Sequence, residues 1–158
     1  MTRVREIIDE AVKIVDSEIE DPVTMRDNQN ERWVYDHFPK YGQGNTLPRI
    51  GFHKITTQHT PFSIGDITAE TDTDVQASIM VRKKKSYDID GDGNAEPAED
   101  VADYLHQKVK DAIEDNQSRI GNLGDDVAYL RPTGSETIKP EGKNVMLEAL
   151  TFELVKYS

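Results

Sequence analysis

Apolar residues recur at helical spacing in two stretches of the 158-residue chain, and each stretch predicts an amphipathic helix. The first helix spans about 18 residues and ends at Asp21-Pro22, because proline cannot continue a helix. The second begins at Pro97, carries Glu99 in its first turn, and ends near Gly121. The apolar stripes consist of Val4, Ile7, Ile8, Ala11, Val12, Val15 and Ile19 in the first helix and of Val101, Tyr104, Leu105, Val109, Ala112 and Ile113 in the second. Each helix is expected to cover a core, with partner binding as the alternative for the first.

Alternation of apolar and polar residues predicts the strands. It is clearest from Val75 to Val81, where every second residue points to the same side. A strand is also expected from Pro48 to Gln58, and a shorter one around Ile64 and Ile67. The last strand, residues 144–157, has apolar residues on both faces. This pattern predicts a central strand, or one whose second face is covered by another subunit.

The order of these elements predicts an α+β fold, with a mostly antiparallel sheet, an N-terminal helix and a second helix packed on one face. The length fits a single domain over residues 1–158. An irregular loop insertion is expected over residues 22–46. After the second helix, Val127 to Leu130 is followed by a polar turn through Pro132, Gly134 and Gly142.

Composition narrows the classes of function. The chain has 30 acidic and 19 basic residues, a net charge of -11 and an isoelectric point near 4.7, which argues against tight binding to nucleic acid or to an anionic membrane. The absence of cysteine excludes disulfides, thiolate zinc sites and cysteine nucleophiles. Residues 1–19 predict no signal peptide, and no run approaches the length of a membrane span. The acidity fits a halophilic source, although the 11 lysines fit it less well.

Residues 88–99 match the twelve-residue calcium-binding loop D-x-[DN]-x-[DN]-G-x5-E. Gly93 permits the sharp turn, Asn94 would contribute its backbone carbonyl, and Glu99 would bind through both carboxylate oxygens. The ligand positions are occupied by Asp88, Asp90, Asp92, Asn94, Glu96 and Glu99. A strand, residues 75–87, precedes the loop where an EF-hand has a helix. The sequence therefore predicts a structural Ca²⁺ site between a strand and a helix, with a solvated acidic turn as the alternative.

No combination of residues predicts catalysis. The sequence contains no nucleophile elbow and no phosphate-binding loop, and Gly42-Gln43-Gly44 lacks the third glycine of a dinucleotide loop. The basic run Arg82–Lys85 could contact phosphate, but we favour an exposed strand end that lysine protects from edge pairing. The histidines, none of which has metal-binding spacing, are His37, His53, His59 and His106. We therefore expect that the chain is not an enzyme.

Five segments follow one another in an order that is found in a known family. They are an opening helix (3–20), the proline-led strand LPRIGF (47–52), the alternating strand DTDVQASIMV (72–81), an amphipathic helix (97–119) after an acidic link, and the closing strand LEALTFELVKY (147–157). This layout resembles the tail terminator proteins of long-tailed, lambda-like phages. The resemblance covers residues 3–20 and 47–158. Residues 22–46 and the calcium-like loop, 86–99, depart from the family pattern and are expected to be insertions.

The resemblance implies a structural protein of the virion tail that is assembled in the host cytoplasm. Family members form a ring, usually a hexamer, at the head-proximal end of the tail tube, where the ring ends tube polymerisation and joins the tail to the head. The implied partners are further copies of the chain, the tail tube protein and the head–tail connector protein. Viral DNA would pass through the ring without specific binding, and no membrane is involved. By analogy, the sheet edge and the loops at 59–74 and 131–144 would make the subunit and tube contacts.

Two alternatives stay open. One is a neighbouring head–tail connector or tail-completion protein, and the other is a monomeric calcium-binding adaptor domain. The charge is uneven, since residues 88–115 hold ten acidic and two basic residues, a net charge of -8. An acidic surface suits a channel wall past which DNA slides without sticking, so we expect the second helix to face such a channel.

Overall fold

The computed structural model describes residues 4–19, 33–38, 47–56, 62–64, 67–70, 73–82, 86–87, 96–123, 127–141 and 144–157. The described helices are α1 (Val4–Glu18), α2 (Ala98–Asp115) and α3 (Gln117–Gly121). The described strands are β1 (Val34–Tyr35), β2 (Arg49–Thr56), β3 (Phe62–Ile64), β4 (Ile67–Glu70), β5 (Thr73–Arg82), β6 (Ser86–Tyr87), β7 (Glu96–Pro97), β8 (Val127–Ile138) and β9 (Val145–Tyr157). The predicted α+β fold, with a mostly antiparallel sheet and helices packed on one face, is confirmed.

A seven-stranded sheet organises these elements. Its centre has the order β2-β5-β9-β8, and each of these neighbours is antiparallel. β1 adds two residues to the outer side of β2 in parallel, and β4 pairs with the last residues of β9 and with β3. Because β9 has β5 on one side and β8 on the other, the prediction that the last strand is central is confirmed.

The main hydrophobic core lies between α1, α2 and one face of the sheet. The alternating residues of β5 that were predicted to share a face, Val75, Ala77, Ile79 and Val81, are all 0% exposed. The helices contribute Ile7, Ile14 and Val15 from α1 and Val101, Leu105, Val109 and Ile113 from α2. Burial of one such side chain contributes roughly 1.5–3 kcal/mol. The apolar stripes read from the sequence therefore form the surface that attaches the helices to the sheet.

The opposite face of the sheet carries a smaller hydrophobic cluster. Leu47, Met80 and Leu147 are buried there, and Phe38 and Val145 pack against them. β9 thus contributes alternate residues to the two clusters. Both of its faces are buried within the described monomer, so covering its second face requires no partner.

Of the irregular loop predicted over residues 22–46, the structure describes only residues 33–38, and these include the short strand β1. Val34 is 1% exposed and Trp33 is 4% exposed, and both belong to the main core. The backbone oxygen of Trp33 accepts a hydrogen bond of 2.8 Å from the N–H of Ile50, and β1 follows. A strand of two residues is too short to produce a recognisable alternation.

The polar turn predicted through Pro132, Gly134 and Gly142, which the family analogy also treated as a loop over 131–144, is wrong in its first part, and Gly142 lies outside the described residues. Residues 131–138 continue strand β8 as far as Ile138. A register shift between Pro132 and Gly134 accommodates both residues next to β9. The polar sequence concealed the strand because one half of β8 lies in solvent.

Two further boundaries differ from the prediction. The second helix ends at Asp115, where the side-chain Nδ2 of Asn116 donates to the backbone oxygen of Ala112 at 2.8 Å, and α3 follows as a separate turn. The strand expected over residues 75–87 consists of β5 and the separate short strand β6. Among the described helices, none combines the length and the hydropathy that crossing a membrane requires.

Candidate assembly surface

The second half of β8 is an ordered strand that lies almost entirely in solvent. Leu130, in the first half, is 0% exposed, whereas Ile138 is 38% exposed. Every residue from Thr133 to Lys139 is exposed. Main-chain pairing with β9, which continues as far as Ile138 opposite Leu147, therefore holds this half in place with little burial of its side chains.

The side chain of Gln117, in α3, shows which main-chain groups of β8 face outward. Its Nε2 donates to the backbone oxygen of Leu130 at 2.6 Å, and the N–H of Leu130 donates to its Oε1 at 3.0 Å. These groups of Leu130 therefore point away from its partner on β9, Leu154. Main-chain groups of an antiparallel strand point alternately to its two sides. Following the register along β9 places the N–H and C=O of Ser135 and Thr137 on the same outer edge.

The outer edge of β8 is blocked along its first half and open along its second. Gln117 occupies the groups of Leu130, and Pro132, the next outward-facing residue, has no N–H to offer. A bulge separates Pro132 from Gly134, and bulges and prolines are the usual means of protecting an edge. From Gly134 to Ile138 the register is regular. No other described strand pairs with this segment.

An open groove runs between α2 and this half of β8. Its larger part has a volume of about 550 Å³, and Leu150, 2% exposed, lies at its base. A smaller part of about 250 Å³ continues toward the first turn of α2. The polar residues that line the two parts are Glu99, Asp103, His106, Lys110 and Glu114 on the helix, Arg131, Thr133, Ser135, Thr137 and Lys139 on or just after β8, and Glu148 on β9. The groove is thus walled by charged side chains and has an apolar base.

Two contacts fix the open half of β8 to the rest of the fold. Glu148, only 5% exposed, accepts a hydrogen bond of 2.6 Å from Thr137 Oγ1, and its other oxygen lies 3.4 Å from Nδ1 of His106. Beyond the strand, Lys139 Nζ lies 3.0 Å from a carboxylate oxygen of Glu99. The threonine hydroxyl is directed at the carboxylate and not at the imidazole, so this cluster lacks the nucleophile–base contact of covalent catalysis. In this arrangement the cluster connects β8 with β9 and α2.

Most of the predicted calcium ligands, Asp88, Asp90, Asp92 and Asn94, lie outside the described residues. The backbone of Glu96 pairs with that of Tyr87, so β6 and β7 hold the two ends of the loop together. Glu99, the last predicted ligand, lies in the first turn of α2, where its carboxylate contacts Lys139. Within the described part of the chain, no three acidic or histidine side chains form a group that could hold a metal. The Ca²⁺ site stays a prediction.

The remaining predicted polar residues are dispersed. His37 Nδ1 lies 3.2 Å from Asp36 Oδ1, and this hydrogen bond, together with the Arg5 guanidinium, lowers the pKa of Asp36 against the opposing effect of burial. His53 lies on β2, where burial lowers its pKa and Nδ1 has no hydrogen-bond partner. His59 and the lysines of the Arg82–Lys85 run lie outside the described residues.

The open edge of β8 was not predicted from the sequence, although two of its residues, Pro132 and Gly134, indicate it. Pro132 and Gly134 are the residues of a protected edge as much as of a turn. Gln117 is 13 positions away from Leu130, so its contact could not be read from a local pattern. No protein-family model matches the chain, and no curated protein matches it significantly.

Proposed function

We propose that the chain is the structural subunit of a ring that closes the head-proximal end of a viral tail tube and joins the tail to the head. The observation that supports this proposal best is the half-open edge of β8. An exposed edge strand invites pairing with another chain, and proteins normally protect it. Among the described residues, the first half of β8 is protected, whereas no strand pairs with the outer edge of the regular segment 134–138.

The fold and the layout of segments are consistent with this role. The sequence order that resembles tail terminators contains the same elements as the sheet and helices described above. The continuous pairing of β5, β9 and β8 would hold the open edge in a fixed position within the ring. Within the proposed ring, the partners are other copies of the chain, the tail tube protein on one face and the head–tail connector on the other.

The acidic helix has a place in this proposal. α2 carries six acidic and two basic residues, and its polar side is exposed. If this surface faces the central channel, its negative charge keeps DNA from adhering while it passes. A ring in which α2 lies on the outer circumference would contradict this part of the proposal but leave the remainder intact.

The test of the proposed function has two parts. Light scattering and negative-stain imaging of the purified chain, over a range of concentrations, are expected to show a closed ring. Addition of the chain to polymerising tube protein from the same virus is then expected to stop tube growth, with the chain located at one end. A monomer at every concentration that leaves tube length unchanged would overturn the proposal, and a calcium-responsive monomer would favour the adaptor domain.

A further inference from the structure

We infer that the open half of β8 pairs with the opposite edge of the sheet, strand β2, in a neighbouring copy of the chain. This inference rests on the proposed ring and specifies its subunit contact. It follows from the hydrogen-bonding state of the two edges and from their charges.

The outer edge of β2 is also partly open. β1 pairs only with Ile50 and Gly51, and the N–H of Ile50 donates to the Trp33 oxygen at 2.8 Å. Because outward-facing residues alternate along a strand, Lys54 also directs its N–H and C=O outward. The register from β8 through β9 and β5 to β2 gives the same assignment independently. In the described residues, no strand pairs with β2 beyond β1 on this side.

The two edges are complementary in charge. β2 contains no acidic residue. Its exposed charge is that of Lys54, because Arg49 is only 3% exposed and burial lowers the pKa of His53. The groove beside β8 is lined by four acidic and three basic residues, and it is bordered by α2, which has a net charge of -4 from six acidic and two basic residues. Placing Lys54 next to this acidic helix is favourable, whereas pairing β8 with a second β8 would bring two acidic helices together.

The occupant of the groove follows from this geometry. A strand added to the outer edge of β8 would bond the N–H and C=O groups of Ser135 and Thr137, as in other cases of β-augmentation. Ser135 lies opposite Leu150, and Lys54 lies opposite Val75, so both side chains are on the helix side of the sheet. The neighbour's Lys54 would therefore enter the groove that α2 and β8 enclose.

Pairing of two different edges also explains why copies would form a ring. Each chain has one β8 edge and one β2 edge. An interface between two copies uses the β8 edge of one copy and the β2 edge of the other, so one edge of each copy stays free. Such head-to-tail contacts produce a closed ring when the rotation between subunits closes. A β8–β8 contact would instead be symmetric and would stop at a dimer.

Cross-linking tests this contact directly, because the chain has no cysteine of its own. Ser135→Cys and Lys54→Cys are prepared as separate proteins and treated with a short bismaleimide, alone and as a mixture. We expect a cross-linked dimer only in the mixture, and a ladder up to the full ring in the double variant. Cross-linking of Ser135→Cys with itself would show a symmetric β8 contact and overturn the inference. Rings of the double variant that give no cross-linked ladder would also overturn it.

Proline variants separate this inference from the proposed function. Ser135→Pro removes an outward N–H without touching the bonds to β9, and edge positions of this kind tolerate proline. We expect it to fold, as judged by circular dichroism, and to lose the ring, whereas Ser135→Ala keeps the ring. A folded Ser135→Pro variant that still forms wild-type rings overturns the β8 contact alone. A wild-type chain that forms no ring under any condition overturns the proposed function as well.

Discussion

The two halves of β8 belong to one strand and share one partner, yet different interactions keep them in place. In the first half, Leu130 is 0% exposed and both of its outward main-chain groups bind Gln117. In the second half, Ser135 to Ile138 are exposed, and pairing with β9 holds them with support from Thr137 and Glu148. The first half is therefore part of the fold, and the second is a surface that the fold presents. The difference indicates where the chain can accept a partner without rearranging.

Truncating one side chain in each half of β8 should give the largest difference in stability. Leu130→Ala leaves a cavity in the main core and is expected to lower the free energy of unfolding by about 2–5 kcal/mol. Ile138→Ala removes an exposed side chain and should cost less than about 0.5 kcal/mol. Urea denaturation followed by circular dichroism measures both changes. Equal losses would show that the second half is buried in the same way as the first.

Removing the contact between Gln117 and the first half of β8 should have an intermediate effect on stability. Gln117→Ala deletes two hydrogen bonds to Leu130 and leaves partly buried main-chain groups without partners, which is expected to cost about 1–3 kcal/mol. Gln107→Ala is the matched control, because Gln107 donates only to the exposed Asp111 at 2.8 Å. A Gln117 variant as stable as the Gln107 variant would refute the assignment of the blocked edge.

The hydrogen bond between Thr137 and Glu148, in the second half of β8, should contribute less to stability. Thr137→Val removes the hydrogen bond to Glu148 while preserving the shape of the side chain, and a loss of about 1 kcal/mol is expected. Thr133→Val serves as the control, because its hydroxyl makes a longer contact of 3.3 Å with the Thr151 oxygen at an exposed position. If the two variants lose the same free energy, Thr137 and Glu148 do not fix the strand.

The smallest effect is a dependence on pH that originates in β2. Burial lowers the pKa of His53 below its usual 6.5, although a hydrogen bond with Gln76 opposes the shift. As the pH falls below 6.5, the unfolded chain takes up this proton first, so stability decreases until the folded pKa is passed. Melting temperatures from above pH 6.5 to about pH 5.5 should fall less for His53→Gln than for the wild type. An unchanged slope would exclude His53 as the source.

The parts of the fold that bury apolar residues could be predicted from the sequence. The stripe of α1, the alternation of β5 and the two apolar faces of β9 each follow from the repeat of their element, so these elements and the α+β class were found. The pattern predicts only the first half of β8 as a strand, because the second half buries little and contains Pro132 and Gly134. β1 could not be predicted, because two residues are too few to show an alternation of apolar and polar positions.

The candidate site was harder to predict for a physical reason. Its outward groups belong to the main chain, which all residues share, and their direction is decided by a contact between Gln117 and Leu130 that no local pattern contains. The calcium-like motif, in contrast, is conspicuous in the sequence, yet of its ligand positions the structure describes only the side chain of Glu99, which contacts Lys139. The calcium-like motif and the proposed assembly edge therefore lie in different parts of this chain.

Residue-resolved amide hydrogen exchange, measured by NMR in dilute and in assembled protein, tests the central claim most directly. The N–H groups of Glu136 and Ile138 face β9 and should be protected in both samples, which makes them internal controls. The N–H groups of Ser135 and Thr137 should exchange rapidly in the dilute monomer and become protected on assembly. Exchange of Ser135 and Thr137 that is equally rapid in the assembled protein would contradict the assignment of β8 as the assembly edge.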